Sequence, residues 1–292
     1  MRIARSKADL REALAESRRR GRKIGLVPTM GYFHEGHLSL MRRAREDCDI
    51  LVVSLFVNPT QFGEGEDLES YPRDEERDIE LAAREGVDLL WTPTAEQMYP
   101  EGFATAVEVG GELTAVLEGD QEQRGASHFR GVTTVVAKLF NSVQPDVAYF
   151  GGKDAQQAVV LARMARDLDF PVQIEVLPTV REDDGLALSS RNAYLDPEQR
   201  ERAAAISRSL RAAERAAVEG ETSIDALVEV ARTELRNAGI DPEYVEARSA
   251  EDLSPLAELN GRPVLVAVAA RVGRARLIDN VVIAPPNKTT EA

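Results

Sequence analysis

From residue 24 to about residue 178 the apolar positions switch between two periods, and the pattern reads as strands separated by helices. Residues 24–29 are a short apolar strand, residues 36–47 an amphipathic helix, and residues 50–57 an unbroken apolar run of the kind that suits a strand covered on both faces. A loop carrying Gly63 and Gly65 follows, then a charged helix over 73–85 and a strand over 87–91. Further on, the spacing predicts a helix over 131–143, a strand over 147–150, a helix over 155–168 and a strand over 172–177. Such a βα series implies an α/β fold with a doubly wound parallel sheet.

After about Pro178 the alternation stops. Helices over 197–218 and 223–238 precede strands over 244–248, 263–270 and 276–283, which predicts a second, smaller α+β domain. The chain is therefore divided as 1–178 and 179–292, with 285–292 as a short loose tail. The first helix of the smaller domain carries Arg and Glu outside and Ala, Ile and Leu inside, which reads as packing.

Composition narrows the classes. With 292 residues, 43% hydrophobic and 29% charged, the chain is an ordinary soluble one with room for sizeable cores. A formal net charge of -14 disfavours a general nucleic-acid surface, because phosphate backbones repel such a field. Cys48 is the single cysteine, which excludes an intramolecular disulfide, and Met1-Arg2-Ile3-Ala4 opens no apolar stretch of a secretory signal. No apolar run reaches the roughly 18 residues of a membrane span. A cytoplasmic protein with small-molecule partners is expected.

In open α/β sheets ligands bind beyond the carboxyl ends of the strands. Three candidate loops fall there: Pro28-Thr29-Met30, Asn58-Pro59, and Gly151-Gly152-Lys153-Asp154. The first leads into Gly31-Tyr32-Phe33-His34-Glu35-Gly36-His37, which sets two histidines at the first turn of a helix. The unpaired N–H groups and the positive dipole end there favour an anion. His34 and His37, three apart, put both rings on one side of the turn, and Gly36 has no Cβ to keep a triphosphate away from the backbone. Zinc fits less well, since the metalloprotease pattern needs an i, i+4 pair, and three histidines with one cysteine cannot assemble a site of four soft ligands.

The loop from Phe56 to Phe62 carries two amides, Asn58 and Gln61, which read hydroxyls and carboxylates without adding charge, although Asn58-Pro59 also reads as a plain turn starter. Gly151-Gly152-Lys153-Asp154-Ala155-Gln156-Gln157 opens a helix with a cation for phosphate and a carboxylate for ribose hydroxyls, without Walker spacing. Gly185, followed by Leu188-Ser189-Ser190-Arg191-Asn192 at the domain junction, reads as a phosphate clamp able to close as a lid, or as a polar turn whose serines cap a helix.

Taken together, Pro28-Thr29-Met30-Gly31 with His34-Glu35-Gly36-His37, the Phe56 to Phe62 loop, Tyr71-Pro72-Arg73, His128-Phe129-Arg130-Gly131-Val132-Thr133, the Gly151 to Gln157 turn and Ser189-Ser190-Arg191-Asn192 resemble the pantothenate synthetase (pantoate–beta-alanine ligase) family of the nucleotidylyltransferase superfamily. The order and spacing match from about residue 1 to 284. Two positions depart from the family pattern: Gly152 stands where a Glu is usual, and Leu188 where a Met is usual.

The resemblance implies a Rossmann-like sheet with a C-terminal lid domain. It implies condensation of (R)-pantoate with beta-alanine, driven by ATP and Mg²⁺, through an enzyme-bound pantoyl adenylate, giving pantothenate, AMP and diphosphate. His37, His34, Lys153 and Arg191 correspond to the catalytic set, with His37 as the acid that assists diphosphate departure. ATP-binding positions correspond to Met30, Gly31, His34, His37, Gly151, Gly152, Lys153, Asp154, Val180, Leu188, Ser189, Ser190 and Arg191. Gln61, Gln157 and Asn58 correspond to the pantoate site, and Gln61 also to the beta-alanine site; the metal ligands and the base that deprotonates beta-alanine stay open. His128 and Arg130 are expected in a supporting role, and a homodimer built through the larger domain is implied. A plain adenylyltransferase, a nucleotide-binding regulator and an NAD-dependent oxidoreductase are the rival readings; the last lacks a Gly-x-Gly-x-x-Gly after the first strand.

Overall fold

Successive side chains of a strand point to opposite faces, and in this chain that alternation decides which helices cover which side of the sheet. The structure is a computed structural model that describes residues 1–63, 68–120 and 122–284. The expected loop position Gly65 and the expected tail over 285–292 lie outside the described residues. In chain order the elements of the first part are β1 (Arg2–Ala4), α1 (Lys7–Arg19), β2 (Ile24–Thr29), α2 (Glu35–Asp47), β3 (Ile50–Leu55), α3 (Glu75–Arg84), β4 (Leu89–Trp91), α4 (Ala95–Met98), α5 (Gly125–Val143), β5 (Val147–Gly151), α6 (Ala155–Asp167) and β6 (Gln173–Leu177).

The six strands form one sheet in the order β1-β4-β3-β2-β5-β6, and every neighbouring pair is parallel. Leu26, Val52, Trp91, Ala148 and Phe150 face one layer, where they meet Leu10 and Leu14 of α1, Val136 and Phe140 of α5, and Leu161 and Met164 of α6. Val27, Leu51, Val53, Leu90 and Tyr149 face the other, against Met41 and Ala44 of α2 and Ala82 of α3. Helices therefore cover both faces, the doubly wound α/β arrangement that the continuous apolar strands require. The chain leaves β2 outward through β3 and β4, then returns to β5 on the other side, so the strand order reverses between β2 and β5.

Four elements, β1, α1, β3 and α5, differ from the sequence expectation for physical reasons. β1 and α1 have no counterpart in that expectation: β1 has three residues at the sheet edge, too few to show a period, while α1 is announced by a Ser6/Asp9 capping box and the buried pair Leu10 and Leu14. The helix expected from 131 begins at Gly125, and Gly131 is a point of close approach inside the helix rather than its first residue. A Cβ on Gly131 would lie 2.2 Å from the Thr60 carbonyl oxygen. The strand expected over 50–57 ends at Leu55, although the Phe56 N–H still donates to the Thr29 carbonyl at 3.0 Å.

The chain folds as two compact units, Met1–Gly152 with Val160–Val180, and Lys153–Val159 with the chain from Arg181 onward. The sequence pattern alone places a single boundary between 178 and 179. The second unit contains α7 (Pro197–Val218), α8 (Ile224–Asn237) and the strands β7 (Pro242–Ser249), β8 (Val264–Val272) and β9 (Ala275–Ile283), which make an antiparallel sheet in the order β7-β8-β9. Its core joins Ile206 and Leu210 of α7 and Leu227 and Leu235 of α8 to Val266 and Val268 of β8.

Candidate functional site

The loop after β2 is held by hydrogen bonds from successive backbone amides. Gly31 and Tyr32 both take left-handed backbone angles, with φ of 87° and 52°. The Gly31 N–H donates to Thr29 Oγ1 at 3.3 Å, and the Tyr32 and Phe33 N–H groups donate to the two carboxylate oxygens of Asp78 at 2.7 Å each. Asp78 lies on α3 and is buried. Burial pushes its carboxyl above the ordinary range, while the two amides and Arg77 pull it back.

His34 then caps α2. Its Nδ1 accepts the Gly36 N–H at 3.2 Å, and His37 Nδ1 accepts the His34 N–H at 3.3 Å. An amide can only donate, so both Nδ1 atoms are acceptors and the proton of each neutral ring sits on Nε2. The rings lie side by side, with centroids 4.2 Å apart and planes inclined by 36°. Phe33, fully buried, packs against His37 with centroids 5.6 Å apart. The Gly36 amide is thus turned toward His34.

Gln61 is fixed from three sides. Its side-chain oxygen accepts from Asn58 Nδ2 at 3.2 Å, and its Nε2 reaches Met30 Sδ at 3.1 Å. Asn58 is itself buried: Nδ2 also donates to the Gly131 carbonyl at 3.2 Å, while Oδ1 accepts from Thr60 Oγ1 at 2.9 Å and Tyr99 Oη at 2.7 Å. Asn58 is both a turn starter and an anchor, and its amide is committed inside the protein. Burial pushes the Tyr99 phenol up, against the Thr60 hydrogen bond.

The Gln61 carbonyl accepts from His128 Nδ1 at 2.8 Å and from Arg124 Nη2 at 3.1 Å. Arg124 Nη1 also meets His128 Nε2 at 3.1 Å. A guanidinium has no acceptor, so His128 Nε2 accepts and its Nδ1 carries the proton. His128 and Arg124, one turn apart on and just before α5, therefore brace the Gln61 backbone, with Gly131 giving the turn room to approach. Asp78, Tyr99 and Arg124 escape a reading of the sequence alone; each is charged or polar in a segment whose local pattern says only helix or loop.

Of the remaining expected positions in this unit, Gly151 ends β5 opposite Leu177, Val180 is half-buried, and a Cβ on Gly152 would lie 3.0 Å from the Leu177 carbonyl oxygen. A side chain at Gly152 would thus crowd that carbonyl.

The second unit holds the other expected residues. Lys153 Nζ lies 3.7 Å from Asp154 Oδ1, and the Lys153 carbonyl accepts from Asn280 Nδ2 at 2.8 Å. Gln157 is half-buried on the first turn of α6. Leu188 is half-buried, and Ser189 caps a short turn of 3₁₀ helix (Ser190–Tyr194), its Oγ accepting the Arg191 N–H at 3.3 Å. The segment before it is pinned by Arg181, whose guanidinium binds buried Asp279 at 2.5 and 3.0 Å and the carbonyls of Gly185 and Asn280. Asp279 and Asn280 of β9 thereby anchor both the Lys153 turn and the arm leading to Arg191. Among the described residues, no group of three or more His, Cys, Asp or Glu side chains could hold a metal ion, and no helix is long and apolar enough to cross a membrane.

The family model described as Pantoate-beta-alanine ligase matches residues 2–282. The pantothenate synthetase of Moorella thermoacetica is 53% identical over 286 residues, covering 97% of this chain and 99% of that protein. That of Pelotomaculum thermopropionicum is 52% identical over 279 residues, covering 94% and 96%. The crystal structure of the Thermus thermophilus pantothenate synthetase superposes with a TM-score of 0.92 at 48% identity, over 98% of this chain and 100% of the other. The Francisella tularensis pantoate-beta-alanine ligase, complexed with beta-gamma ATP and beta-alanine, has a TM-score of 0.80 at 33% identity, with 97% of each chain covered.

Proposed function

The chain belongs to the pantoate-beta-alanine ligase family, and on that premise we propose that it joins (R)-pantoate to beta-alanine at the expense of ATP, through an enzyme-bound pantoyl adenylate, with AMP and diphosphate as the other products. The observation that carries this reading is the His34/His37 pair, with Nε2 protonated on both rings at a helix start, next to a Gln61 amide oriented against Met30 of the same loop. The ATP and beta-alanine of the Francisella complex support the same two ligands here.

In the first step a carboxylate oxygen of pantoate attacks the α-phosphorus, and the bond to diphosphate breaks. Both reactants are anionic, so the site must offset their repulsion and spread charge in the transition state. His34 and His37 donate Nε2–H to phosphate oxygens, and His37 assists diphosphate departure. Lys153 and Arg191 bring cations, and Met30, Gly31, Gly151, Gly152, Asp154, Val180, Leu188, Ser189 and Ser190 complete the nucleotide site. Gln61 and Gln157 orient pantoate; Asn58, its amide committed within the protein, acts through Gln61. In the second step the amine of beta-alanine, near Gln61, attacks the acyl carbon, the C–O bond to AMP breaks, and the amine loses its proton.

When bound, Mg²⁺ would be held mainly by the nucleotide's phosphate oxygens and by water, as this ion prefers, and would supply further charge neutralisation beside Lys153 and Arg191. The second unit, with its Ser189 to Arg191 arm, serves as the lid that excludes water from the hydrolysable adenylate. The protein works as a cytoplasmic homodimer built through the first unit; the single cysteine suits a reducing compartment.

The test is diphosphate release from ATP, Mg²⁺ and D-pantoate, followed by AMP formation on adding beta-alanine, in wild type and His37→Ala. AMP formation that needs both substrates and collapses in the variant is expected. Diphosphate without amine-dependent AMP would instead leave an adenylyltransferase.

A further inference from the structure

We propose that Asp78 is a positioning residue for the His34/His37 pair: by taking the amides of Tyr32 and Phe33 it holds the loop from β2 into α2 in the one conformation that aims both imidazoles. The proposal rests on the ligase reading for its kinetic consequence, though its geometry stands independently of it.

The loop needs such a hold. Two successive residues sit in the left-handed region, and the second, Tyr32, is not glycine. That conformation is strained for a residue with a side chain, and it persists only where the surroundings over-determine it. Asp78 supplies the determination. Its two oxygens each accept one amide at 2.7 Å, at the short end of N–H···O bonds and typical of charge-assisted ones. A Cβ on Gly31 would lie 3.0 Å from Asp78 Oδ2, so the glycine lets the carboxylate close on the loop. The same helix adds a second grip, with the Arg77 guanidinium 5.5 Å from the centre of the Tyr32 ring.

The chemistry of the side chain matters as well as its place. Of the side chains of this length, only a carboxylate presents two acceptors to two amides; an asparagine would satisfy one and set its own NH₂ against the other. Asp78 is 1% exposed, and burying a charge is costly unless hydrogen bonds offset it. A buried carboxylate that accepts from two loop amides, directly before the catalytic pair, is committed to the shape of that loop. Pairing then continues down the chain: the next amide, that of His34, goes to His37, and that of Gly36 to His34. Displacing the Tyr32–Phe33 segment therefore displaces the first residue of the histidine cap.

The chain has three histidines, so imidazole resonances report the pair and an internal control separately. In full-length Asp78→Asn, the ring signals of His34 and His37 are expected to shift while those of His128 stay in place. The kcat for diphosphate release should fall about 10²-fold, as expected for a displacement near 1 Å, with KM for pantoate little changed. Asp78→Glu, which keeps both acceptors one methylene further out, should lose less. Wild-type kcat with unmoved His34 and His37 signals would overturn the proposal. So would a lowered melting temperature with kcat intact, a shift shared equally by His128, or failure of both variants to fold, since each makes Asp78 a general stabiliser. A wild type without amine-dependent AMP formation would sink the ligase reading instead, and the imidazole signals would still decide the role of Asp78.

Discussion

His37 Nδ1 accepts the backbone N–H of His34 at 3.3 Å, so each of these histidines takes part in the cap of α2 as well as in the chemistry proposed for them. The two duties use different ring atoms, Nδ1 for the cap and Nε2 for phosphate, and can be separated by substitution. Asparagine is a strong N-cap and has no imidazole. His34→Asn should keep thermal stability near wild type, whereas His34→Ala should lose about 1 kcal/mol, the usual worth of a cap. Both should lower kcat by about 10²- to 10³-fold, as removal of one preorganised donor does. Urea melts and diphosphate release on the two variants check this; equal stability in both would mean that His34 is not the cap.

Gly131 should be intolerant of even one methyl group. A Cβ there would meet the Thr60 carbonyl oxygen at 2.2 Å and Gln61 Cα at 2.8 Å, both backbone atoms. Gly131→Ala must therefore push the Asn58 to Gln61 turn away from α5, at a cost of about 1–3 kcal/mol. Gln61 is proposed to orient pantoate, so KM for pantoate should rise more than KM for ATP. Equal rises in both would argue that the turn serves the whole site.

Asp78 gives stability an unusual slope with pH. Burial holds its folded pKa above the ordinary 3.8, with Asp74 adding to the rise, against the Phe33 and Tyr32 amides and Arg77. Between 3.8 and that higher value the folded state binds more protons than the unfolded chain. Its contribution to stability is therefore greatest at low pH, falls as pH rises through that window, and is constant above it. The difference in unfolding free energy between wild type and Asp78→Asn, measured in urea across the acid range, should shrink in the same sense. Asp252 is the opposite case: the hydroxyls of Ser254 and Ser249 and the Arg262 guanidinium hold it well below the carboxylate range, so its contribution is lost as pH falls.

In the second unit, Arg181→Leu should be the costly half of a pair. Asp279 is 3% exposed and binds both terminal nitrogens of Arg181, so removing the guanidinium strands a buried charge, at about 3–5 kcal/mol. Arg181→Leu combined with Asp279→Leu should recover much of that loss, because two apolar groups leave no unpaired charge. A double-mutant cycle on chemical denaturation checks it, and additive losses would show the pair to be unimportant.

Much of this protein was legible before folding. Continuous apolar runs with helices between them specify a parallel sheet covered on both faces, because only burial on both sides rewards runs such as 50–55. The set of loop motifs named the family, and His34, Gln61 and Lys153 stand at carboxyl ends of strands because that is where βα loops must fall. Local rules carry such information, since strand period, helix start and turn chemistry depend on neighbours a few residues away.

Tertiary structure alone decided what holds those residues. Gly131 reads locally as a helix start and is instead, inside α5, the space that the Thr60 carbonyl needs. Asp78 reads as one more acidic residue of a charged helix and is the partner of two amides 45 and 46 positions earlier. Arg124 and His128 reach Gln61 across 63 and 67 positions. A hydrogen bond between distant segments leaves no period in the sequence; it exists only once the sheet has brought the segments within about 3 Å of each other.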